Sequence, residues 1–252
     1  MTNEECPIIT ILGPTATGKT HIAVRLAAEL EGEIVSADSR QVYRRMDIGT
    51  GKDISEYQYD GQQIPYHLID IVEPGVKYNV FHYQQAAFKA MREIQSRGKQ
   101  IVICGGSGMY IESVLQGYRF KFQEEHQILS DPVPSVIIGL RGDRDLIRMR
   151  ITQRLKARLQ EGMIEEIQSL LDEGIDPQVL IRYGLEYKFV TLYLLGEITY
   201  DEMFGRLNTA IHQFSKRQMT WFRRMERLSF DIHWVDVALS DDEKMAEIYK
   251  FL

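Results

Sequence analysis

Residues 13–20 read Gly13-Pro14-Thr15-Ala16-Thr17-Gly18-Lys19-Thr20, which matches GxxxxGK[ST] at every fixed position. Upstream, Ile8–Leu12 is a short apolar run of strand type, and downstream the apolar residues of 19–30 fall at helical spacing. A glycine-rich loop between a strand and a helix aims consecutive backbone N–H groups at phosphate oxygens, and the helix adds its positive N-terminal end. Lys19 then supplies a cation to the terminal phosphates, and Thr20 a hydroxyl to Mg²⁺. The loop therefore implies a diphosphate or triphosphate ligand. It does not separate a small-molecule kinase from a transferase, although a GTPase is disfavoured because no base-reading N/T-K-x-D element follows.

Outward from the loop, strand-like and helix-like segments alternate. Residues 34–37 form a second strand candidate and 67–71 (HLIDI) a third. Residues 79–97 carry an apolar face of Phe81, Ala87, Ala90, Met91 and Ile94, and a Gly98-Lys99 stop leads to a strand at 101–104. Alternation of this kind predicts a parallel α/β sheet. After a β-like run at 135–140 the pattern turns mostly helical up to Arg227, with Thr199 and Glu202 spaced as a capping box. A short strand around Trp234 and a terminal helix over 241–252 complete the expectation. Three regions follow: an α/β core over 1–140, a helical region over 141–230 that packs on it, and a return to the core over 231–252.

The bulk properties are those of an ordinary globular chain. It has 252 residues, 44% hydrophobic and 26% charged, with no apolar run long enough to span a bilayer. The N-terminus lacks a secretory pattern, and two cysteines without metal-ligand spacing fit a cytoplasmic setting. Cys6 stands alone and Cys104 reads as a small buried hydrophobe. The net charge of −6 conceals two basic segments, local +5 over 141–158 and +4 over 212–227. Such segments suit polyanions, although a solvated helix face would look the same.

Farther along, 33–43 (EIVSADSRQVY) runs on to 46–52 (MDIGTGK). Then come His67-Leu68-Ile69-Asp70-Ile71, Gly105-Gly106-Ser107-Gly108-Met109-Tyr110, Arg150-Ile151 with Arg154, Gly196-Glu197-Ile198 and 216–223 (KRQMTWFR). Together, in this order, these stretches resemble the tRNA dimethylallyltransferases, the IPP transferase family. The resemblance spans nearly the whole chain and implies a P-loop NTPase-like sheet with a helical C-terminal half. It implies transfer of a dimethylallyl group from dimethylallyl diphosphate to the N6 amine of an adenine beside a tRNA anticodon, with Mg²⁺ as cofactor.

The resemblance also assigns roles. Asp38 inherits the general base, which orients the weakly nucleophilic N6 amine and takes its proton; its alternative is a Mg²⁺ partner or strand-end cap. Gly13 to Thr20 bind the diphosphate, and Lys19, Thr20 and Arg154 stabilise the charge it gains on leaving. Arg154 alternatively is an exposed helix arginine. Ser107, also a catalytic candidate, stands where the family usually has threonine, and either hydroxyl can donate to a phosphate or hold the adenine. Ser39, Arg40, Gln41, Ser107, Arg182, Tyr183, Gly184, Tyr187, Lys216, Arg217 and Arg223 fall on the adenine and tRNA side. Trp221, Phe222 and Tyr183 are candidates to stack an extruded base, or else core aromatics.

One departure stands out. The family carries a helical insertion that embraces the anticodon stem-loop, whereas only 117–134 bridges the corresponding elements here. Acceptors other than the tRNA stem-loop, namely free AMP, ADP or ATP, therefore stay open, as does a non-catalytic binder. A monomer without membrane partners is expected.

Overall fold

Five consecutive aliphatic or β-branched residues, Ile8–Leu12, form the first strand, β1, buried along its whole length. Burial on both faces is what a central parallel strand requires, and β1 lies between two parallel neighbours. The computed structural model describes residues 7–118 and 133–252. Cys6 and most of the 117–134 bridge lie outside the described residues.

In chain order the elements after β1 are α1 (Lys19–Glu29), β2 (Gly32–Ser36), a 3₁₀ turn (Ile54–Tyr57), the hairpin of β3 (Gln58–Tyr59) and β4 (Gln62–Gln63), and β5 (Tyr66–His67). Next come α2 (Val80–Ser96), β6 (Gln100–Gly105), α3 (Gly108–Leu115) and β7 (Ser135–Arg141). The helical half consists of α4 (Arg144–Gln160), α5 (Met163–Asp172), α6 (Pro177–Tyr183), α7 (Leu185–Leu194) and α8 (Tyr200–Arg227). The described chain closes with β8 (Ile232–Asp236) and α9 (Asp241–Ile248).

Six strands make one parallel sheet in the order β5-β2-β6-β1-β7-β8, so the expected α/β class holds. The predicted third strand is much shorter than HLIDI. Only Tyr66–His67 pairs with β2, because Leu68 (φ 65°) and Asp70 (φ 55°) adopt left-handed backbone that cannot continue a ladder. Asp70 instead turns towards the buried Lys52, which also holds Asp47 and donates to the Tyr43 carbonyl. The terminal helix likewise stops at Ile248 rather than continuing to Leu252.

Two hydrophobic clusters cover the two faces of the sheet. One joins α1 (Ile22, Leu26) to the helical half through Ile151, Tyr187, Met203, Leu207 and Ile211. The other joins α2 (Tyr83, Ala87, Ile94), α3 and the far end of α8 (Phe222, Met225). The long helix α8 therefore starts on one face and ends on the other, passing the carboxyl ends of the strands on the way. Its start is fixed as predicted: Thr199 Oγ1 accepts from Glu202 N at 3.3 Å, and the Glu202 carboxylate accepts from Thr199 N at 2.9 Å.

Candidate active site

Ligand sites in open parallel sheets form at the carboxyl ends of the strands. The loop after β1 lies there. Gly18 closes it in left-handed conformation (φ 76°) as the N-cap of α1, and Thr17 Oγ1 donates to the Pro14 carbonyl at 2.8 Å. Lys19 Nζ reaches back over the loop to the same carbonyl at 3.4 Å. Burial holds its ammonium below the usual lysine value, while Cys104 and Asp38 pull the other way. Cys104, at the end of β6, is buried as expected, and burial pushes its thiol up to about 12.

The turn after β2 faces this loop. Asp38 Oδ1 accepts from Arg40 N at 2.9 Å, so the turn locks itself and presents the carboxyl at the strand end. Ser107 does not cap α3; its Oγ accepts from Ser39 N at 3.0 Å and thereby ties the turn after β6 to the turn after β2. Gln41 Nε2 donates to the Gly51 carbonyl at 3.3 Å.

A single pocket gathers Thr15, Lys19, Thr20, Asp38, Ser39, Arg40, Gln41 and Arg154, eight of the residues singled out from the sequence. Arg154 is no exposed helix arginine: it sits partly buried on the inner face of α4, with Nη2 3.4 Å from the Gly51 carbonyl. One turn later Arg158 enters the same pocket, which the sequence reading missed. Burial and the neighbouring Arg154 hold its guanidinium below the usual arginine value. The signal was present, since Arg150, Arg154 and Arg158 recur every fourth residue and share a face. Glu186 was missed too. Its buried carboxylate accepts from Arg40 Nη1 at 2.6 Å and lies 3.7 Å from Arg158 Nη1. The pocket thus holds more cations than carboxylates, an arrangement suited to a polyanion.

Several predicted contacts lie elsewhere. Tyr187 is fully buried, its ring against Gly49 and its hydroxyl donating to Glu166 at 2.7 Å. Glu166 also accepts from the backbone N–H groups of Asp47, Ile48 and Gly49, so the pair anchors the 46–52 loop rather than touching a ligand. Tyr183 packs on Tyr43 with centroids 4.6 Å apart, and its hydroxyl accepts from Gly75 N. Arg182 is exposed, and Gly184 (φ 74°) is the joint between α6 and α7. Phe222 is core, and Trp221 lies against Gly108 while its Nε1 donates to Glu112 at 2.8 Å. Neither is a free stacking platform. Lys216, Arg217 and Arg223 are exposed on α8, as a polyanion-facing surface requires.

Residues 41–130 and 120–225 match the family model described as IPP transferase. The two matched stretches overlap over 120–130, within the 117–134 bridge. Among curated relatives, tRNA dimethylallyltransferase 1 of Parabacteroides distasonis is 46% identical over 298 aligned positions, covering 97% of each chain. A second relative, tRNA dimethylallyltransferase 2 of Bacteroides fragilis, is 50% identical over 94% of this chain and 95% of its own. An alignment of 298 positions exceeds the 252 residues present here, so the relative contains positions that this chain lacks. Among solved structures, the tRNA isopentenylpyrophosphate transferase of Bacillus halodurans superposes with a TM-score of 0.86 at 30% identity, covering 97% of this chain and 95% of that one.

Proposed function

The chain belongs to the IPP transferase family, and from that premise we propose that it transfers a dimethylallyl group from dimethylallyl diphosphate to the N6 amine of an adenine in tRNA. The observation that carries this reading is the convergence of Lys19, Arg154 and Asp38 on one pocket at the carboxyl ends of the strands. A phosphate loop and a carboxylate facing each other are what an alkyl transfer with a diphosphate leaving group needs.

In the reaction, the N6 lone pair attacks the first carbon of the dimethylallyl group. The C–N bond forms, the C–O bond breaks, and diphosphate leaves with the electron pair. Asp38 accepts the N6 proton. Lys19, the loop amides, Arg154 and Arg158 meet the negative charge that grows on the leaving oxygens. Thr20 is the residue that would hold Mg²⁺ alongside the diphosphate. One hydroxyl fits, because Mg²⁺ bound to phosphates takes few protein ligands and keeps several waters; the ion would neutralise part of the diphosphate charge.

The helical region 141–230 completes the channel over the core 1–140, and 231–252 returns to the sheet. Lys216, Arg217, Arg223 and the exposed cations of α4 contribute to the grip on the anticodon stem-loop. Among the described residues no helix is long and apolar enough to cross a membrane, and we assign the chain to the cytoplasm as a monomer.

A second reading has a specific observation in its favour. The positions missing relative to the curated relatives weaken the case for a full stem-loop grip, which leaves free AMP, ADP or ATP as acceptors. Labelled dimethylallyl diphosphate with Mg²⁺, offered unmodified tRNA beside the three nucleotides, decides. Label in tRNA supports the first reading, label only in nucleotide supports the second, and label in neither removes both.

A further inference from the structure

The basic stretch 216–223 looks like an RNA-facing segment, yet its glutamine points inward. Gln218 is buried at the place where α8 crosses from one face of the sheet to the other. Its Oε1 accepts from Thr15 N at 2.9 Å, and its Nε2 donates to the Gly106 carbonyl at 3.0 Å. Thr15 belongs to the loop after β1, and Gly106 to the turn after β6, the strand paired with β1.

We propose that Gln218 is a positioning residue that fixes the phosphate-binding loop against the turn supporting Asp38. This inference rests on the transfer reaction proposed above. The connection is continuous: Thr15 to Gln218, Gln218 to Gly106, then the adjacent Ser107, whose hydroxyl accepts from Ser39 N beside Asp38. One side of this chain grips the diphosphate and the other carries the base. In-line alkyl transfer needs the donor carbon and the N6 amine at a set separation, and this amide sets the spacing of the loops that hold them.

The chemistry selects glutamine. A primary amide offers one acceptor and one donor from a single planar head. Leucine of similar size would leave a backbone N–H and a backbone C=O without this partner. An ionised glutamate would keep the bond to Thr15 N but set a carboxylate oxygen against the Gly106 carbonyl. Protonated glutamate again offers an acceptor and a donor. Gly106 provides the space, since a Cβ there would lie 2.4 Å from Gln218 Nε2. The helix does not depend on this amide for its place. Trp221 and Arg224 independently bond the buried Glu112 of α3, at 2.8 and 2.6 Å, so Gln218 variants should keep α8 seated.

The test uses the full chain as wild type, Gln218→Leu and Gln218→Glu. Transfer kinetics, inorganic diphosphate affinity and amide exchange at Thr15 are measured on each. Gln218→Leu should lower kcat by about 10²-fold, the cost of roughly 1 Å of misplacement, while diphosphate affinity stays within about threefold and Thr15 N–H exchanges faster. Gln218→Glu should be impaired at neutral pH, and its kcat relative to wild type at the same pH should climb as pH falls and the carboxyl gains its proton. Wild-type turnover in Gln218→Leu, or a Glu-to-wild-type ratio flat with pH, overturns the proposal. Were wild type itself inactive, the transfer reading would fall, and unchanged Thr15 exchange in Gln218→Leu would separately overturn this one.

Discussion

Gly51→Ala should separate activity from stability more cleanly than any change to a charged residue. Gly51 has φ 67° and its carbonyl accepts from Gln41 and Arg154. A Cβ built there would lie 1.5 Å from Arg158 Nη2 and 2.5 Å from Arg154 Nη2. Ordinary contact begins near 3.4 Å, so Arg158 must retreat by about 2 Å and Arg154 by about 1 Å for their atoms to cease overlapping. Both obstacles are the far ends of long side chains, so the fold can yield where the site cannot. The backbone cost is that of one left-handed alanine, about 1–2 kcal/mol, or roughly 2–8 °C in Tm for a chain of this size. A native state stabilised by about 5–15 kcal/mol survives that loss almost fully folded. Displacing two guanidiniums from a leaving diphosphate, by contrast, should lower kcat/KM by about 10²-fold or more. Steady-state transfer kinetics and a thermal melt on the same preparation test both halves. A kcat/KM within about threefold of wild type, together with the expected drop in Tm, would falsify the placement of Arg154 and Arg158 on the reaction path.

Three further outcomes follow from the same geometry. Asp38→Asn should cost at least about 10²-fold in kcat while inorganic diphosphate affinity stays unchanged, as loss of a proton acceptor requires; an unaltered kcat removes Asp38 from the chemistry. Lys216→Glu, Arg217→Glu and Arg223→Glu combined should raise KM for tRNA by about tenfold or more and flatten its salt dependence, with KM for the prenyl donor untouched, and an unchanged salt slope would place the RNA elsewhere. On β2, next to the edge strand β5, Arg97 and then His67 hold the Glu33 carboxyl below its usual range. A lowered folded-state value stabilises the protein above the unfolded value of about 4.3, and that contribution disappears as pH falls through the folded one. Glu33→Gln should therefore lower Tm by about 2–4 °C at pH 7, and melts at decreasing pH should show the gap to wild type closing; a constant gap refutes the pairing.

What the sequence disclosed was whatever depends on neighbours along the chain. The loop at 13–20 is complete within eight residues, and the Thr199–Glu202 cap within four, so both were legible without any tertiary knowledge. The length of the third strand was not. HLIDI has strand composition, but Asp70 is drawn out of the ladder by Lys52, a partner eighteen positions away whose own burial depends on Asp47 and Tyr43. Arg158 was half legible: its spacing from Arg154 put both on one face of α4, and only the packing of α4 decided that this face meets the phosphate loop.

The aromatic candidates Tyr183, Tyr187 and Trp221 lie outside the pocket for one physical reason, while the polar groups that reach it from distant elements carry little local signal. Tyr187, Tyr183 and Trp221 carry the larger apolar surface, and burying it in the interior is worth more than holding it ready for a base. Each ends with its polar atom bonded to another part of the protein, Glu166, Gly75 and Glu112 respectively. The groups left to organise the pocket are Glu166, Glu186 and Gln218; only Gln218 lies in a stretch that the resemblance picks out, 216–223, and nothing local there distinguishes its inward role from that of its basic neighbours. Each bonds backbone or cations brought in from another element, across 117 to 203 positions for Glu166 with Gly49, Glu186 with Arg40 and Gln218 with Thr15. The helical half therefore does more than cover the sheet. It sends one acceptor to the 46–52 loop, one carboxylate to Arg40 and Arg158, and one amide to the 13–20 loop, so the spacing of the groups that line the pocket is set by helices lying outside the GxxxxGK[ST] segment.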